Sequence, residues 1–139
     1  MTNLAEELKN IITDGAVKYP MPFKKGNSIF IGNVVIRPTK QIYLLIDTKT
    51  GEQICTTHTK YGALAAAKVY LQDQDLTKVL FNDITYNKNN NDIIFYNHTL
   101  SVSNDNFKKD IATVRKQVAE NQRNIAQTYL EQIIFKRDK

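Results

Sequence analysis

A single cysteine, Cys55, stands in a chain of 139 residues. One thiol excludes an internal disulfide and every zinc pattern built on a CxxC pair. There are only two histidines, His58 and His98, and neither a GxGxxG nor a GxxxxGK[ST] phosphate loop occurs. A DxDxDG calcium loop is also lacking. No apolar run approaches the roughly 20 residues a membrane helix needs. The start, Met1 to Glu7, has neither the basic cluster nor the apolar stretch of a secretion signal. These absences lead us to expect a protein of the cytoplasm, with no membrane partner.

The residues that could carry chemistry are few. Cys55 and His58 invite a thiol-imidazole pair, but they lie three apart at the end of an expected strand, where alternation sends them to opposite faces. Asp73, Asp75, Asp83 and Asp92 lie on or beside expected turns, where Asp commonly bonds local backbone. The expectation is therefore no catalytic residue, no metal ligand, no cofactor and no enzymatic activity.

Hydrophobic residues make up 42% of the chain and charged residues 24%. That balance is ordinary for a globular body, and the length suits one core with extensions. Lysine and arginine number 19 against 14 acids, giving a net charge of +5. Such a surplus suits an anionic partner without the density of a dedicated nucleic-acid arm.

Along the chain, Leu4, Leu8, Ile11 and Ile12 form a helical stripe with Asn3 as N-cap and Gly15 as stop. Residues 1–27 therefore read as a helix and a Pro-containing arm, with Pro20 and Pro22 favouring an extended connector. A 28–103 α+β core follows. Ser28–Arg37, Gln41–Asp47 and Glu52–Thr59 read as three strands, separated by Arg37-Pro38-Thr39-Lys40 and by a turn ending in Gly51. The simplest topology is an antiparallel β-meander. A helix over Lys60–Leu71, capped by Thr59, should cover it, its alanines allowing close approach. Shorter strands are expected around 79–81, 93–96 and 99–102, with Asn87–Asp92 as a loop.

The segment 104–139 has no Gly or Pro from Asp105 onward and reads as one amphipathic helix of about 30 residues, near 45 Å long. Its stripe runs Phe107, Ile111, Val114, Val118, Asn121, Ile125, Tyr129 and Ile133. A helix longer than its own core requires usually finds another surface, so these residues are the expected protein interface. Asn121 interrupts the seam, where a polar residue can set register and oligomer state.

Helix, meander and helix over residues 4–72 resembles the element order of the double-stranded RNA-binding domain. Thr59-Lys60 followed by Ala63, Ala65, Ala66, Ala67 and Leu71 is similar to the helix with which that family contacts phosphate. The resemblance implies Lys60 as a phosphate contact. Tyr61 stands where a second basic residue belongs, and Arg37–Lys40 lacks the family's Gly-Pro-x-His loop. Residues Gly26–Pro38, Ile46–Gly51 and Lys60–Lys68 also resemble small proteins of tailed phages infecting marine bacteria. That likeness implies a phage source and no particular activity.

Together these features predict a structural or protein-interaction protein, incorporated in a phage virion and assembling through its terminal segments on itself or on another structural protein. The competing expectation is a small basic nucleic-acid-binding module using Lys60, Lys68, Lys108, Lys109, Arg115, Lys116 and Arg123.

Overall fold

The computed structural model describes residues 22–135, and the expected helix over residues 4–13 lies outside them. Five strands, β1 (Phe23–Lys25), β2 (Ser28–Ile31), β3 (Val34–Pro38), β4 (Tyr43–Asp47) and β5 (Gln53–Thr57), pair antiparallel in chain order. Three helices follow: α1 (Lys60–Leu71), α2 (Thr77–Val102) and α3 (Asn106–Ile134). The class is α+β, with the meander covered by α1 and a long C-terminal helix, as the sequence indicates.

The meander is built from tight turns. Lys25 pairs with Ser28 and Ile31 with Val34, so Gly26-Asn27 and Gly32-Asn33 are each complete two-residue hairpin loops. Both glycines have positive φ, 62° and 55°, and neither asparagine does, which is the type II′ arrangement. The stretch expected as one strand from Ser28 to Arg37 is therefore two strands, because Gly32 reverses the chain. The arm expected over residues 1–27 likewise contributes β1, since Gly26 folds Phe23–Lys25 back onto β2.

Register sets the core. Ile29, Ile36 and Leu45 form one cross-strand row, with Ile31 and Val34 beside it on the same face. Ala63, Leu64, Ala66 and Ala67 of α1 join these residues in one buried cluster. The alanines carry no bulk, so helix and sheet approach closely. Burying each large apolar side chain in that row contributes roughly 1.5–3 kcal/mol. On the other face Phe23 stacks on Phe30, with ring centroids 5.2 Å apart.

The loop from β4 to β5 is tied to α1. The Tyr70 hydroxyl donates to Asp47 Oδ2 at 2.5 Å, and the Lys49 N–H donates to Asp47 Oδ1 at 2.8 Å. The Tyr70 bond first, then the Lys49 amide, holds the Asp47 carboxyl below the usual carboxylate range. The same contact pushes the Tyr70 hydroxyl above the usual phenol range, since a phenolate would face a carboxylate. The lowered group stabilises the fold above the ordinary carboxylate value, and that contribution is lost as pH falls through the folded value. The raised group contributes below the ordinary phenol value and loses its contribution as pH rises through the folded one. Tyr70→Phe is expected to remove the alkaline dependence and to weaken the acid one, which the Lys49 amide partly maintains, read as a flatter profile of melting temperature against pH at both ends. An unchanged profile would show that the contact contributes nothing.

Residues 77–102, expected as short strands around a loop, form the single helix α2. The Asn-rich run and the branched and aromatic pairs carry weak helical propensity. Antiparallel packing against α3 along its length overrides it, with Val79, Asp83, Asn89 and Ile93 on the buried side. α2 and α3 form a hairpin joined by Ser103–Asp105. The Asp105 carboxylate caps α3 by accepting from the Phe107 and Lys108 amides at 2.9 and 3.4 Å. Only the hairpin's base enters the main core, through Leu76 at the N-cap of α2, Val79 of α2, and Tyr129, Leu130, Ile133 and Ile134 of α3. A 26-residue helix is about 39 Å long, so most of the hairpin extends past the sheet domain.

Candidate interaction surface

The face of α3 buried within the chain is made of small residues. Ala112, Ala119 and Ala126 recur every seven positions at 3% exposure or less, followed by Leu130 and Ile134 in the main core. A seven-residue recurrence is the period of helices wound gently around each other, and alanine lets their backbones come close.

The stripe read from the sequence as the helix's buried face lies to one side of these alanines. Phe107 is 71% exposed, Val114 64%, Val118 50% and Ile125 71%, with Ile111 and Asn121 also exposed. Only Tyr129 and Ile133 of that set pack against the chain's own core. α2 sits on the alanine face, and the stripe from Phe107 to Ile125 is left exposed on the chain's own surface.

α2 enlarges the apolar surface with side chains that reading 93–102 as strands concealed. Phe95 and Val102 are largely exposed and face a groove of about 500 Å³ shared with Ile111. Lys108 and Arg115 stand on its rim. A second groove continues along the hairpin between Tyr96 of α2 and Val114 and Val118 of α3. The absence of Gly and Pro after Gly62, and the apolar recurrence at Val79, Tyr86 and Ile93, were the available signals for a helix here.

The basic residues do not gather into one patch. Lys68 of α1 is 2% exposed, which corrects its place among nucleic-acid contacts. Lys60 opens α1, whereas Lys108 and Lys109 lie at the hairpin tip, roughly 30 Å along α2 from the turn that α1 contacts. Arg123 donates to Asn90 Oδ1 at 3.3 Å and so braces α3 to α2. Lys116 lies 3.9 Å from Glu120. Lys108 and Arg115 remain together on the groove rim.

Cys55 sits on the α1 side of β5, half-buried, and burial with the nearby Asp83 charge pushes its thiol up to about 11. Such a thiol is a poor nucleophile at neutral pH. His58 and His98 are exposed, His98 near the C-terminal end of α2. Of the acids, Asp83 is not the solvated turn residue expected: it is 1% exposed within α2. Its Oδ2 accepts from the His58 amide at 2.8 Å, and its Oδ1 accepts from the Thr59 amide and hydroxyl at 2.9 and 2.7 Å. Thr59 Oγ1 in turn accepts from the Gly62 amide at 3.0 Å and caps α1. This carboxylate is a structural latch between α1 and α2. Among the described residues no group of His, Cys, Asp and Glu is placed to hold a metal, and no helix is long and apolar enough to cross a membrane.

No protein family, curated protein or solved structure matches this chain.

Proposed function

We propose that this chain is a non-enzymatic structural or protein-interaction protein, with the sheet and α1 as its platform and the α2–α3 hairpin as its docking element. The carrying observation is the apolar stripe from Phe107 to Ile125, exposed along α3 and widened by Phe95 and Val102. Soluble monomers rarely leave so many large apolar side chains together in water unless the patch has a partner. Incorporation in a phage particle is the narrower form of the reading, supported by the texture of Gly26–Pro38, Ile46–Gly51 and Lys60–Lys68 alone.

The test is an environment-sensitive apolar dye at low protein concentration. Wild type is expected to bind it, and V118D/I125D to bind several-fold less at an unchanged melting temperature. Equal dye binding would overturn the docking reading.

The rival reading, a basic nucleic-acid module, draws on Lys108 and Arg115 at the groove rim. It requires a complex with duplex RNA or DNA whose affinity falls steeply between two salt concentrations. Appearance of that complex, with loss in K108A/R115A, would replace the first reading.

A further inference from the structure

Resting on the hairpin as a docking element, we infer that its occupant is the hairpin of a second copy of this chain, packed parallel and in register along α3. Phe107, Ile111, Val114, Val118, Asn121 and Ile125 are spaced four, three, four, three and four, the alternation of a coiled-coil seam. α3 already follows a seven-residue period against α2 through Ala112, Ala119 and Ala126. A second heptad row on its flank therefore stays in line for a second helix instead of drifting around the barrel. The seam ends where its next positions become Thr128 and Gln132, as α3 enters its own core.

Orientation follows from the polar positions. In a parallel pair Asn121 meets Asn121 of the other copy. Its Oδ1 already accepts from Gln117 Nε2 at 3.2 Å, which leaves the amide NH2 to donate across the seam. Flanking positions five residues apart also meet across a parallel pair, which brings Asp110 to Arg115 of the other copy, twice by symmetry. Neither residue forms a salt bridge among the described residues. An antiparallel pair would instead set Asn121 against Ile111 and bring the two Arg115 side chains together at the centre. Charge and polar matching both select the parallel arrangement.

The experiment measures mass in solution over rising concentration, together with cysteine cross-linking in a C55S background. Wild type is expected to pass from monomer to dimer. V118D/I125D is expected to stay monomeric with wild-type circular dichroism. D110R should raise the dissociation constant about tenfold, and D110R/R115D should restore it. N121C should form a disulfide-linked dimer on mild oxidation. A mixture of I111C and N121C chains should give only like-with-like dimers. Preferential I111C–N121C cross-links would overturn the parallel arrangement. A wild type that remains monomeric at high micromolar concentration, while still losing dye binding in V118D/I125D, would overturn the second copy as occupant and leave the docking reading standing.

Discussion

Asp83→Ala is expected to lower the unfolding free energy by about 3 kcal/mol or more, the largest loss from any single polar substitution in the described residues. The carboxylate is 1% exposed and receives three donors, the His58 amide and the Thr59 amide and hydroxyl. A buried donor left without a partner costs about 1–3 kcal/mol. Removing the acceptor strands several of them at once and also loosens the Thr59 cap of α1. Asp83→Asn should fall between, because its one amide oxygen can serve Thr59 while its NH2 opposes the His58 amide. Gly62→Ala approaches the same latch from the other side. A Cβ there would lie 2.6 Å from Asp83 Cγ and 2.8 Å from its Cβ, closer than real Cβ atoms come, so the carboxylate must shift off its donors. Urea unfolding of the three variants measures this. A loss under 1 kcal/mol for Asp83→Ala would show that the β5–α1 turn holds without the latch.

Leu130→Ala is expected to cost 2–5 kcal/mol, whereas Ile125→Ala on the same helix should stay within about 0.5 kcal/mol in the monomer. Leu130 is 0% exposed and belongs to the cluster joining α1, the sheet and the base of the hairpin. Ile125 is 71% exposed. The pair measures how α3 is rotated, since these residues would exchange roles if the helix buried its large apolar stripe. Comparable losses for both, in chemical denaturation at low concentration, would refute the orientation described above.

That rotation marks where the sequence was legible and where it was not. The meander and α1 were readable because turn chemistry and periodicity agree there: Gly51 closes a loop, Thr59 caps, and apolar residues recur at strand and then helix spacing. The Gly-Asn pairs at 26–27 and 32–33 carried their hairpins just as openly, but the branched residues around Gly32 masked the second turn. α2 was hidden because local preference and tertiary packing disagree: Ile93-Ile94-Phe95-Tyr96 favours a strand, and the Asn run favours a loop. Packing of the segment against α3 offsets those preferences. The α3 stripe was legible as an amphipathic face longer than the chain's own core requires, but which residues of α3 would pack on α2 was not. Hydrophobicity scales rank Phe and Ile above Ala, while helix-to-helix contact within a hairpin selects for small size. The buried role of Asp83 could not be read from a lone acid, because its donors come from residues 24 and 25 positions earlier.

The connectivity of the latch also bears on the order in which the molecule assembles. The meander joins strands that are neighbours in sequence, and the hairpin joins two helices across a three-residue connection, so each closes short loops and can form early on its own. What brings them together is long in sequence: Asp83 reaching back to His58 and Thr59, and Leu130 and Ile134 reaching back to α1. Docking of the two halves is therefore the expected slow step, with the latch forming in its transition state. Substitutions there should slow folding, whereas changes near Val102 and Phe107, at the far end of the hairpin, should chiefly speed unfolding.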